Sequence, residues 1–198
     1  VQSEFSKIMD TSRNRLTNIL ERVTAVDAIN LEQDAPIDNI NSKYTLGEQL
    51  FVDPCQALPK DLNLDMNINM SKQEIAVALS HIKVWKKIAS GTESYALVIE
   101  DDICLHPNFS SLMAESWKEL IKKETKGNLF DILFLSFKEV DLGAEKVAFT
   151  ESTFKLFRGI WYMSGYVLSK EGASKLIEML PLRGPVDLWI NHKFDQLT

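Results

Sequence analysis

The chain has 198 residues, 45% of them apolar and 25% charged, with a formal charge of -6. That usage excludes a disordered polymer or a collagen and fits one domain of ordinary size. An acidic chain without a basic block is a poor match for a phosphate backbone, so no nucleic-acid partner is expected. No apolar run approaches the ~20 residues of a membrane span, and no apolar N-terminal segment marks export. The expected location is the cytoplasm, or peripheral at a membrane. Two cysteines, Cys55 and Cys104, cannot build a disulfide framework or a zinc knuckle.

The first ~30 residues read as a helix, with Thr11 or Ser12 as caps and Leu16, Ile19 and Leu20 at helical spacing. A short strand follows around Val23, Ala25 and Val26. From residue 31 to 70 the texture changes. Seven acids face two lysines, and three prolines interrupt any periodicity. This segment predicts an irregular insertion within a single domain spanning 1–198, mobile or wrapped along one side of the domain rather than forming a second core.

Order returns at Ser71-Lys72-Gln73-Glu74, a capping-box signature. Val77, Ala78, Ile82, Val84, Trp85 and Ile88 then share one helical face, and Gly91 ends the helix. Tyr95 to Ile99 is a continuous apolar run, as in a strand buried on both faces. A helix from Ser110 or Ser111 to Lys123 turns Leu112, Met113, Trp117, Leu120 and Ile121 inward. Asp131 to Phe137 is a second buried strand. Phe149 to Phe157 alternates like an antiparallel strand. Tyr162 to Leu168 is another strand, and Ser169 caps a helix through Leu180. Pro181, Gly184 and Pro185 turn the chain into a last helix over 188–194. The succession predicts an α/β fold with a mostly parallel central sheet.

Ligands of open α/β sheets bind beyond the carboxyl ends of strands. That rule points at Glu100, Asp101 and Asp102. Alternation along an extended chain sends Glu100 and Asp102 one way and Asp101 the other. Two carboxylates on one side suit a hard divalent ion that shares its remaining sites with substrate phosphates. The plainer reading is a solvated, capped turn. The eight glycines are dispersed, so neither G-x-G-x-x-G nor a P-loop is present. Bound phosphates would therefore need a metal rather than a glycine loop. His81 falls inside an apolar stripe, where a core histidine with a hydrogen-bond partner competes with a site role.

Four segments in order carry a resemblance: E-I-A-V-A-L-S-H-I-K-V-W (74–85), Y-A-L-V-I-E-D-D (95–102), S-G-Y-V-L-S-K-E-G-A-S-K-L (164–176) and P-V-D-L-W-I (185–190). Together with the N-terminal D-T-S-R-N-R (10–15) and V-D-A (26–28), they resemble glycosyltransferase family 25. This is the lipooligosaccharide galactosyltransferase family, to which animal procollagen galactosyltransferases are related. The resemblance implies a GT-A-like fold and an inverting transfer from a UDP-sugar, UDP-galactose in typical members. It also implies a divalent metal, manganese or magnesium, and an acceptor hydroxyl on a glycan, lipid-linked or protein partner. It places the metal on Glu100 and Asp102, and donor contacts on Asp101, Arg13, Arg15, Ser80 and His81. Ser164, Gly165 and Tyr166 would line the sugar pocket, and Asp187 would be the general base, unless it merely caps the last helix. The alternatives are an inactive or partial transferase-derived binding module and a metal-dependent phosphohydrolase or nucleotidyltransferase. The latter lacks its D-x-D-x-T or glycine-rich turn.

Overall fold

The computed structural model describes residues 20–31, 38–54, 58–59, 61–123 and 129–198. Within them run β1 (Ile40–Asn41), β2 (Lys43–Thr45), α1 (Leu46–Val52), β3 (Asn67–Asn69), α2 (Lys72–Ser90), β4 (Tyr95–Ile99) and α3 (Phe109–Lys123). The chain continues through β5 (Ile132–Glu139), β6 (Glu145–Ala148), β7 (Phe154–Arg158), β8 (Ile160–Ser169), α4 (Lys170–Glu178), β9 (Leu182–Arg183) and α5 (Val186–Asn191).

The central sheet has three strands in the order β4-β8-β5. Both outer strands pair antiparallel with β8. The expected mostly parallel sheet is thus corrected: the parallel pairing is the short β1–β9 contact. The apolar runs did report packing on both faces, but not full burial: β4 and β5 are at most partly buried, and Leu97 and Phe137 are each 39% exposed. Ile132, Phe134, Tyr166, Leu168 and Val98 pack with α2, α4 and α5. Leu133, Leu135, Val167 and Tyr95 pack with Trp117 and Leu120 of α3. Two-sided burial specifies helices above and below a strand, but not the direction of its neighbour. β4, α3 and β5 form a crossover that leaves a gap one strand wide, and β8 later fills it antiparallel.

The long α2 starts as its capping box demands: the Ser71 hydroxyl accepts from Glu74 N, and the Glu74 carboxylate accepts from Ser71 N at 2.6 Å. Ala76, Ala78, His81, Ile82 and Trp85 form its buried face. Trp85 is fully buried and stacks on Trp189 with centroids 5.9 Å apart. Burying such a ring is worth about 2–3 kcal/mol. Val77, expected inside, is 43% exposed, and so are Leu112 and Ile121 of α3, at 50% and 51%.

The 31–70 segment, expected to be irregular, holds short elements. Its described residues carry β1, the β2–β3 antiparallel pair and α1. Thr45 and Glu48 make a second capping box at the start of α1. Tyr44, Val52 and Met70 are buried in the main core. No strand forms over Val23 to Val26. The chain there is extended and ends in a 3-10 turn, Ala28–Asn30, capped by Asp27. Phe149 to Phe157 is not one strand but the turn and second arm of the β6–β7 hairpin. The expected N-terminal helix lies largely outside the described residues.

Candidate functional site

β4 ends at Ile99, and its ladder closes one residue later, where Glu100 N donates to Ser164 O at 2.9 Å. Asp101 and Asp102 follow in an exposed turn. Two clefts meet here. The larger, about 1440 Å³, runs between the 20–28 segment, α2 and β4, and ends on Glu100, Asp101 and Asp102. The smaller, about 550 Å³, includes Glu100 and Asp102 together with Tyr162, Ser164, Gly165 and Ser136. Glu100 and Asp102 are therefore in the wall that the two spaces share, with Leu97 and Ile99. Among the described residues, no three or more histidine, cysteine, aspartate or glutamate side chains gather as a cation site. The oxygen donors present suit a hard cation in kind, and would need ligands from a bound phosphate to complete a shell.

Behind Glu100 lies a buried polar relay. His81 Nδ1 is 2.9 Å from Tyr166 Oη, and Trp85 Nε1 donates to the same oxygen at 3.1 Å. Tyr166 is wholly buried. Its oxygen already accepts from Trp85, so its own proton is best satisfied by donation to His81 Nδ1. That assigns the His81 proton to Nε2, which stands 3.6 Å from Glu100 Oε1. Burial pushes the Tyr166 pKa upward, which keeps the hydroxyl a donor. The reading of His81 as a core histidine with a partner is met, and the same ring presents its other nitrogen to the site.

Asp187 sits in the first turn of α5, whose N-cap is Pro185 with no side-chain cap bond. Its Oδ2 accepts from Tyr162 N at 3.2 Å and its Oδ1 from Leu188 N at 3.0 Å. Burial raises its pKa, Glu74 adds to the rise, and the backbone donors oppose it. An acid raised by folding is neutral in both states below its unfolded value near ~3.9. As pH climbs through the raised folded value, the ionised form costs stability. The stability of Asp187→Asn relative to wild type should therefore improve as pH rises above the unfolded value near ~3.9 and level off once the raised folded value is passed. Denaturant melts of both proteins across that range check this, and a gap that stays flat or closes would contradict it.

The remaining expected residues divide cleanly. Ser164 and Gly165 line the smaller cleft, with the Ser164 hydroxyl 2.9 Å from that of Ser136. Tyr166 lines neither cleft and belongs to the relay. Ser80 and His81 line the larger cleft. The Ser80 hydroxyl is engaged: it accepts from Val26 N at 2.9 Å and donates to Ala76 O at 2.7 Å, pinning the 20–28 segment to α2. Arg13 and Arg15 lie outside the described residues. Asp187 lines neither cleft, but reaches the smaller one through Tyr162. Sequence reasoning missed Tyr162, a non-glycine residue at φ 73. No local pattern marks such a backbone. His106 and Cys104 also line the smaller cleft.

A family model described as glycosyltransferase family 25 (LPS biosynthesis protein) matches residues 6–190. A glycosyltransferase 25 family member of Aedes aegypti is 28% identical over 89% of this chain and 26% of its own length. Procollagen galactosyltransferase 1 of Danio rerio is 27% identical over 83% of the chain and 25% of its own. The inactive glycosyltransferase 25 family member 3 of Homo sapiens is 26% identical over 64% and 21%. The chain thus spans about a quarter of the length of these relatives. No solved structure matches it.

Proposed function

The chain belongs to glycosyltransferase family 25, and from that premise we propose that it is an inverting, GT-A-like glycosyltransferase using a UDP-sugar, most simply UDP-galactose. The observation that carries this reading is the carboxylate wall shared by the two clefts. A nucleotide diphosphate fits the larger space, and the sugar and acceptor fit the smaller. Transfer breaks the bond from the anomeric carbon to the diphosphate oxygen. It forms a bond from that carbon to an acceptor oxygen, releasing UDP and a proton.

Glu100 and Asp102 would hold a divalent ion, manganese or magnesium. Such an ion supplies charge neutralisation for a leaving diphosphate. His81, bonded to Tyr166, sets its Nε2 beside the Glu100 carboxylate at the strand end. Ser80 keeps the 20–28 wall in place. Asp187 is the proposed base for the acceptor proton, supported by its raised pKa, which brings a carboxylate nearer its working range, and by its bond to the cleft residue Tyr162. In this reading Asp187→Asn loses turnover and keeps UDP-sugar affinity. Near-normal turnover would remove Asp187 from the chemistry.

The test is a screen of UDP-sugars for UDP release, with and without manganese. The expected result is metal-stimulated release from one hexose donor. The inactive relatives favour a second reading, a binding module. Metal-dependent UDP-sugar binding without any release would establish that one instead.

A further inference from the structure

We propose that Tyr162 is the stacking platform for a pyranose ring in the smaller cleft. This rests on the transferase reading for its biological meaning, though not for its test.

Three observations converge on this residue. The first is its backbone. A tyrosine at φ 73 occupies a region that bulky side chains rarely adopt. The Asp187 carboxylate holds the Tyr162 amide there. The partner strand is irregular at the same place, its register against β8 shifting on both sides of Ser136.

The second is what the turn achieves. Ile160, Met163, Tyr166 and Leu168 all belong to the main core. Ile160 and Met163 are three residues apart, so the two-residue period of β8 is broken between them. The break leaves Met163 4% exposed and the Tyr162 side chain on the cleft wall, 58% exposed.

The third is the company the ring keeps. Leu97, Ile99 and Leu135 give the cleft an apolar floor, while the Ser136–Ser164 hydroxyl pair and the Glu100 and Asp102 carboxylates give it a polar rim. A pyranose has that same duality, C–H groups on its face and hydroxyls around its edge. An aromatic face carries negative charge density that attracts polarised C–H groups. The hydroxyl edge meets donors and acceptors in the serines, and acceptors in the acids. The volume lies within the range of small-ligand clefts.

The ring could come from the donor or from the acceptor, and the two probes separate them. Saturation-transfer NMR is measured with methyl β-galactopyranoside and, separately, with UDP-galactose and manganese. The proteins are wild type, Tyr162→Phe, Tyr162→Ala and Tyr162→Gly. The expected result is saturation of the pyranose C–H protons in wild type and Tyr162→Phe. It should be weaker by about three- to tenfold in Tyr162→Ala, the span of an aromatic contact. Tyr162→Gly removes the ring and suits the positive φ. It should fold at least as stably as wild type and still lose the sugar signal, which separates the ring from the backbone.

Loss confined to UDP-galactose supports the proposal and assigns the ring to the donor sugar. Loss with methyl galactoside supports it and assigns the ring to the acceptor side. A ring-dependent galactoside signal with no UDP-galactose binding supports Tyr162 and overturns the transferase reading. A sugar signal that ignores Tyr162→Ala with both probes, or no pyranose signal in wild type with either probe, overturns the proposal for Tyr162.

Discussion

Asp102→Asn should lower turnover with a UDP-sugar by about 10²- to 10³-fold, the span seen when one preorganised charge-stabilising group is removed from a site. The substitution keeps size and shape and removes one negative charge. Asp102 is exposed in the turn after β4 and lines both clefts. Its loss should therefore leave folding stability within about 0.5 kcal/mol of wild type. Glu100→Gln should behave alike in rate. It also tests the relay, because His81 Nε2 would then face an amide whose NH₂ is a donor. Rates, UDP affinity and melting temperature measured together separate the possibilities. A turnover change below a few-fold, with both carboxylates individually removed, would mean that the strand-end acids are only a solvated turn.

Gly172→Ala is expected to give the largest loss of stability. Gly172 lies in the first turn of α4, where its amide donates to the Ser169 cap at 2.9 Å. A methyl group placed there would stand 2.4 Å from the Asp131 carbonyl oxygen and 2.8 Å from its carbonyl carbon. The obstacle is backbone, and it is fixed: Asp131 O accepts from Ser169 N at 2.9 Å, and Asp131 N donates to Thr198 O at 2.7 Å. Lys175 is also bridged to the buried Asp131 carboxylate at 2.7 Å. Relief would need α4 to move off the sheet, so the cost should reach the top of the overpacking range, about 3 kcal/mol. For a chain of this size that is a drop of roughly 6–12 °C in melting temperature. Denaturant titration with an unchanged slope would confirm a pure stability effect. A loss under about 0.5 kcal/mol would show that α4 does not pack as closely as the structure has it.

The elements that carry the site were legible because their signals are local. Tyr95–Ile99 announced a strand by an unbroken apolar run, and Asp131 onward and Tyr162 onward by runs broken only at Ser136 and at Ser164-Gly165. Ser71 and Glu74 announced the start of α2 within one turn. The acids at 100–102 stood out because three like charges in a row at a strand end are costly without a partner or full solvation. What stayed hidden depends on distance in the chain. The insertion of β8 between β4 and β5 is a choice of neighbour, and an apolar run does not encode it. The His81–Tyr166 bond joins residues 85 apart, and neither local pattern names the other. Tyr162 takes its strained backbone from an Asp187 contact 25 residues away and from an irregular partner strand. The α1 helix is a different case. Thr45 and Glu48 spell the same capping signature as Ser71 and Glu74, but the prolines and acids around them masked it.

The central claim is that the strand-end acids bind a divalent ion together with a nucleotide diphosphate. Titration of UDP into the wild-type protein, with manganese and then with the metal chelated, tests it most directly, and Asp102→Asn is the control. Manganese should tighten UDP binding by at least about tenfold, equivalent to about 1.4 kcal/mol, and Asp102→Asn should abolish most of this gain. Equal UDP affinity with and without metal, or a metal effect untouched by Asp102→Asn, would contradict it.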